Sequence, residues 1–179
     1  MKNVLKRSEL FITSFPYQLI PVFLILLISS CGVYSFSGAS ISPEIKSVTI
    51  DFFSNRAAIV QPSLSQAFTE KLKEKFVTQT SLRLLDKEGD LHFEGFITDY
   101  NTQPVAIQGT QTAALNRLTI SVSVKFTNLK DEKQNFETGF SRYYEYSSQR
   151  SLTDVEQEAI AEINKQLIDD IFNKAVSNW

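Results

Sequence analysis

Side chains able to do chemistry are scarce in this 179-residue chain, which holds one cysteine and one histidine. One cysteine makes no internal disulfide and no thiolate metal site, and one histidine excludes His-pair metal centres. The cysteine closes the tetrapeptide Ile28-Ser29-Ser30-Cys31, which has the lipobox order: an aliphatic residue, two small residues, cysteine. The chemistry of lipid attachment asks for that order. Small residues fit a signal peptidase, the thiol accepts a diacylglyceryl group, and cleavage leaves the modified Cys31 as the new N-terminus. A buried structural thiol and the leftover thiol of an ordinary secreted protein are the alternatives. The preceding segment favours lipidation, because Lys2, Lys6 and Arg7 form a basic start and Leu19–Ile28 an apolar run. That run is far short of the roughly 20 residues that span a bilayer as a helix, but it has the length of a signal-peptide core.

The histidine lies in Leu91-His92-Phe93-Glu94, where strand alternation puts His92 and Glu94 on the same face. Such a pair is either a proton-transfer dyad or an ordinary surface contact. The six glycines are scattered, with no G-x-G-x-x-G, no Walker pattern and no G-x-S-x-G elbow. Nor is there a carboxylate cluster in a recognisable metal loop. These absences point to a protein that binds rather than reacts, with no catalytic residue, no metal and no cofactor beyond an acyl lipid on Cys31. The balance of 18 basic and 20 acidic residues carries no footprint of a nucleic-acid binder.

Two features suit binding. No charged residue occurs from Asn101 to Asn116, a stretch rich in Gln, Thr and Ala. It reads either as a segment covered by a partner or as an extended hairpin connection, and Val105 and Ile107 are its candidate contacts. Arg117, Lys125 and Arg142 lie on expected strands, where they could meet phosphates or sugar acids, or simply solvate a sheet face.

The elements that must position these residues follow from periodicity. Ile45–Phe53 alternates as a first strand, with Val48, Ile50 and Phe52 to one side, and Asn55–Gln61 connects onward. Ser63-x-x-Gln66 resembles a capping box, followed by an apolar stripe of Leu64, Ala67, Phe68, Leu72 and Phe76 on a helix of about four turns. Leu82–Leu85 is a short strand, turned by Lys87-Glu88-Gly89-Asp90 into a strand near Leu91–Tyr100. The strongest strand signal alternates Leu118, Ile120, Val122, Val124 and Phe126 with Thr119, Ser121, Ser123, Lys125 and Thr127. One apolar and one hydroxyl-rich face imply a sheet covered on one side only. Phe136–Tyr146 returns as a strand. Thr153-x-x-Glu156 reads as the capping box of a long helix with the stripe Val155, Ala159, Ile163, Leu167, Ile171 and Ala175.

The expected fold class is α+β: a two-layer domain with two helices packed on one face of a small mixed or antiparallel sheet of four to five strands. Residues 1–30 read as a lipoprotein signal peptide, 31–44 as a lipidated tether and 45–179 as a single domain. Loss of the signal peptide removes Lys2, Lys6, Arg7 and Glu9 and leaves 149 residues with 15 basic against 19 acidic side chains. About a dozen residues separate Cys31 from the first strand, a reach of roughly 40 Å when extended. That short leash favours a partner in the membrane over one across the periplasm. The absence of acid from Gly32 to Gly38 favours a periplasm-facing position.

The stretch Cys31-Gly32-Val33-Tyr34-Ser35-Phe36-Ser37-Gly38 resembles the start of LptE-type lipopolysaccharide-assembly lipoproteins, particularly their Bacteroidetes branch. The similarity continues through Phe68-Thr69-Glu70-Lys71-Leu72, Asn116-Arg117-Leu118-Thr119-Ile120, Phe140-Ser141-Arg142-Tyr143 and the ending Asp170–Trp179. The resemblance implies an outer-membrane lipoprotein, anchored on the periplasmic side, that plugs the LptD-type β-barrel of a lipopolysaccharide translocon. It also implies lipopolysaccharide as a ligand, for which Arg117, Lys125 and Arg142 are candidates from the strand reading alone. A plug's exposed faces must meet barrel wall, which makes Val105, Ile107, Thr119 and Ser121 the barrel-contact candidates. The other reading is a periplasm-facing scaffold or regulator lipoprotein, such as a cell-wall synthase activator.

Overall fold

The computed structural model describes residues 41–105 and 114–176. Cys31, the signal segment and Ile107 lie outside them. In chain order the elements are β1 (Ser47–Ile50), β2 (Ser54–Asn55), α1 (Leu64–Gln79), β3 (Arg83–Leu84), β4 (Leu91–Val105), β5 (Leu115–Asn128), a 3-10 turn (Glu132–Gln134), β6 (Phe136–Ser147) and α2 (Leu152–Val176). The sheet runs β3-β1-β4-β5-β6, with β2 also paired to β4. β1 is parallel to β3 and β4, while β4, β5 and β6 form an antiparallel meander. The α+β class and its two helices are as expected, and the mixed sheet has six strands rather than four or five.

The additional strand comes from an interruption. β1 pairs with Leu91–Phe93, and β2 resumes parallel pairing at Phe96 and Ile97 of the same strand. Between them the alternation slips, so Phe52 is 61% exposed and Phe53 is fully buried, the reverse of their expected places. The Phe53 N–H leaves the sheet and donates to Thr69 Oγ1 of α1 at 3.1 Å. Its ring lies against Gly95 of β4, where a Cβ would overlap both that ring and the Ser123 carbonyl oxygen. Glycine at 95 is what admits the inward phenylalanine.

The same contact turns α1. Its buried face is Leu64, Ser65, Phe68, Thr69, Leu72 and Phe76, and Ala67 is exposed. Thr69 is affordable inside because its hydroxyl donates to Ser65 O at 2.8 Å while accepting from Phe53. Ser63 does not cap α1: it is helical in backbone (φ −83°, ψ −13°), and its N–H donates to Gln61 Oε1 at 2.9 Å. On α2 a reciprocal box does form, two residues earlier than expected. The Ser151 N–H donates to Asp154 Oδ2 at 3.2 Å, and the Asp154 N–H donates to Ser151 Oγ at 3.3 Å. The Ser151 hydroxyl first, and then its N–H, hold the Asp154 carboxyl below its ordinary value. Glu156 is occupied elsewhere, accepting the Tyr100 hydroxyl at 2.5 Å, and burial followed by this carboxylate pushes the phenol strongly up.

Every expected apolar position of α2 is buried, as are Leu118, Ile120, Val122, Val124 and Phe126 of β5. The layers are joined by a relay of rings. Phe172 of α2 meets Phe76 of α1 at 5.0 Å between centroids, and Phe76 meets Phe93 of β4 at 4.8 Å. Phe93 meets Phe126 of β5 at 4.8 Å, which meets Phe136 of β6 at 5.1 Å.

Asp90 ties one end of the sheet. Its Oδ2 accepts the N–H groups of Lys46 and Ser47 at 2.8 and 3.1 Å and the Ser47 hydroxyl at 3.0 Å, while Lys130 Nζ lies 3.3 Å from Oδ1. The Lys46 N–H above all, with Ser47 and Lys130 adding and burial opposing, holds this carboxyl below its ordinary value. Asp90→Ala should cost about 1.5–3 kcal/mol at neutral pH, the range for hydrogen bonds to a charged group. A carboxyl lowered on folding contributes fully above its unfolded value, near pH 4, and loses that contribution as the pH falls through the folded one. The gap between wild-type and Asp90→Ala denaturation midpoints should therefore close in acid.

Candidate functional site

Both helices pack on one face of the sheet, leaving the other face open. Because β4, β5 and β6 alternate in register, the open face collects one residue in two from each strand. At its centre Thr119 is paired with Asn101 and Tyr143, and Ser121 with Asp99 and Ser141; the two serine hydroxyls are 2.9 Å apart. The register slips between Ile97 and Asp99, a bulge that leaves Thr98 exposed.

β4 runs on to Val105 and β5 begins at Leu115, so much of the uncharged Asn101–Asn116 stretch is paired strand rather than loop. Val105 pairs with Leu115 on the same face as Arg117, Thr119 and Ser121. Three of the four barrel-contact candidates thus share one surface, and the fourth, Ile107, lies outside the described residues.

The three basic candidates do not come together. Arg117 and Lys125 are on the open face, eight residues apart on one strand, and each is matched to a carboxylate. The Arg117 guanidinium bonds Glu145 Oε1, with Nε at 3.0 Å, and stacks over the Tyr143 ring at 4.1 Å. Lys125 Nζ lies 3.0 Å from Glu94 Oε2. Such exposed pairs are worth about 0–1 kcal/mol, so they exchange readily for another anion. Arg142 is on the opposite face: it pairs with Ile120 in register and forms a bidentate contact with Asp170 of α2 at 2.6 and 2.8 Å. It docks a helix, and Asp170 holds its guanidinium firmly charged.

His92 and Glu94 share the open face, as alternation implied, with His92 Nδ1 3.5 Å from Glu94 Oε1. Asp51 joins them, its Oδ2 3.1 Å from His92 Nε2. Sequence reasoning missed Asp51, which is 41 positions from His92 and reaches it only through the parallel β1–β4 register that pairs Thr49 with His92. An open groove of about 410 Å³ begins here, lined by Asp51, Phe52, Arg56, Glu94, Phe96 and Lys125 among others, with the Arg56 guanidinium 4.1 Å over the Phe96 ring. A second groove of about 290 Å³ lies between the helices beside Lys71, Lys75 and Lys165, with Lys75 Nζ 2.7 Å from Asp169. Among the described residues no helix is long and apolar enough to cross a membrane.

A protein-family model described as lipopolysaccharide-assembly, LptE, matches residues 45–175. No curated protein matches the sequence. Among solved structures the chain is similar to a minor lipoprotein from Acinetobacter baumannii, at 12% identity and a TM-score of 0.50 over 75% of this chain and 95% of that one. It is also similar to lipoprotein B from Nitrosomonas europaea, at 11% identity and a TM-score of 0.46 over 74% and 83% of the two chains. At such identities the first likeness bears on the fold alone, and the second carries no further argument.

Proposed function

The chain belongs to the lipopolysaccharide-assembly family LptE, and on that premise we propose that it is the lipoprotein subunit of an outer-membrane lipopolysaccharide translocon. In this reading Cys31 carries the acyl anchor and holds the domain on the periplasmic side. The domain plugs an LptD-type β-barrel and assists the insertion of lipopolysaccharide into the outer leaflet. The family is one of assembly rather than catalysis, and no enzymatic step is assigned to the chain. The observation that carries the proposal is the family match over residues 45–175.

The open sheet face supports it physically. Among the described residues this face is mainly a wall of hydroxyl, amide and paired charged groups, with Val105 and Leu115 at one end and Phe52 and Phe96 near the other, and it can lie against the polar lumen of a barrel. The opposite face is already filled by α1 and α2.

Gentle detergent extraction of the native lipoprotein should bring a large β-barrel protein with it. Recovery of the lipoprotein alone, at normal barrel abundance, would falsify the assignment. Cys31→Ala should shift the protein out of the membrane fraction, as measured by acyl labelling and fractionation.

A further inference from the structure

We propose that Asp51, His92 and Glu94 form a binding site for a divalent transition-metal cation, zinc being the best match to the donor set. Each residue offers one ligand atom, and these atoms lie within 4.8 Å of one another. His92 Nε2 lies 3.1 Å from Asp51 Oδ2, close to the roughly 3.3 Å between donor atoms of a tetrahedral zinc ion with bonds of about 2.0–2.1 Å. Glu94 Oε1 lies 3.5 Å from the other ring nitrogen, Nδ1, so Glu94 joins an ion held at Nε2 by swinging its carboxylate toward Asp51.

Three observations distinguish this cluster from an ordinary surface contact. First, His92 Nε2 is buried and has no hydrogen-bond partner, although Asp51 Oδ2 is close. The carboxylate is near enough to be a co-ligand but is not aligned to accept a ring N–H. A cation between them satisfies both. Second, the charges do not balance. Lys125 occupies Glu94 Oε2, leaving Oε1 directed at His92, and among the described residues no lysine or arginine pairs with Asp51. Third, the cluster stands on backbone held by pairing, with His92 and Glu94 on β4 and Asp51 just after β1, its N–H donating to Phe93 O at 2.9 Å. Ligands on paired strands are preorganised for a metal.

One imidazole and two carboxylates with an open fourth position suit zinc and its neighbours better than calcium or magnesium. Asp51 and Glu94 both line the 410 Å³ groove. A water or a partner's side chain can complete the coordination from there. The site is separate from the barrel assignment, since co-purification with a barrel can succeed while metal binding fails, and the reverse.

The test is a zinc chloride titration of the full acylated protein in detergent, carrying no histidine tag, in competition with a chromophoric chelator. His92 is the chain's only histidine, so imidazole-dependent binding has one address. The expected result is saturable one-to-one binding that His92→Ala abolishes and that Asp51→Asn and Glu94→Gln each weaken about tenfold or more. Glu137→Gln, which lines the groove outside the cluster, should bind as wild type. Absence of saturable binding, or binding that survives His92→Ala, overturns the proposal. If circular dichroism shows His92→Ala misfolded, unchanged affinity in both Asp51→Asn and Glu94→Gln overturns it equally.

Discussion

Leu118→Asp and Val122→Asp should leave no folded domain at room temperature, whereas Thr119→Asp and Ser121→Asp, on the same strand, should fold. Leu118 and Val122 are 0% and 1% exposed on the helix-covered face of β5, with no basic side chain across from them. A carboxylate there is ionised without a partner, at an effective cost of several kcal/mol on top of the lost apolar packing. A domain of this size has about 5–15 kcal/mol in hand, and the two losses together are of that order. Thr119 and Ser121 face the open side, where a carboxylate remains hydrated. Ser121→Asp stands directly opposite Asp99, and that like-charge pair should cost about 0.2–1 kcal/mol. Thr119→Asp is the cleaner variant, and failure of this folded protein to capture the barrel would identify the open face as the docking surface. Circular dichroism and thermal melts give the first comparison. Four equally folded proteins would contradict the assignment of faces.

Phe93→Ala should destabilise the domain by about 3–5 kcal/mol, the cost of deleting a fully buried aromatic side chain. Phe93 occupies the middle of the relay, touching Phe76 on its helix side and Phe126 on the neighbouring strand. Its removal opens a cavity where α1, β4 and β5 meet, and no single neighbour can fill a space bounded by three elements. Phe140→Ala, at the outer end of the relay and only partly buried, has one ring contact at 6.4 Å and should cost less. Denaturant titrations of the two variants check the order. A larger loss at 140 than at 93 would mean that the core is centred elsewhere.

Where one residue's alternation or helical spacing decided its environment, the sequence was sufficient. The α2 stripe and the apolar face of β5 have the places their spacing demanded, because long regular segments with one apolar face have a single way to bury it. The misreadings cluster where tertiary contacts compete with local pattern. Phe52 and Phe53 exchange roles because Gly95, more than 40 residues away, leaves room for one ring. Ala67 yields its place on the α1 stripe to Thr69, whose hydroxyl is needed by the Phe53 N–H. Glu156 is drawn from the expected cap by Tyr100, and Ser151 with Asp154 supplies the cap instead.

The candidate site divides along the same line. Alternation was enough to place His92 beside Glu94, and Arg117 with Lys125 on a polar face. Asp51 and the separation of Arg142 from the other cations were beyond it. Local periodicity reports which face a residue takes within its own element. It carries nothing about register between elements, which is set by packing of the whole core. The sequence by itself therefore determined the class of the fold and the one-sided sheet, and it alone carries the proposal that Cys31 is a lipid attachment point. Tertiary structure alone decided that β1 lies parallel to β4, so that Asp51 meets His92, and that β6 turns Arg142 toward Asp170.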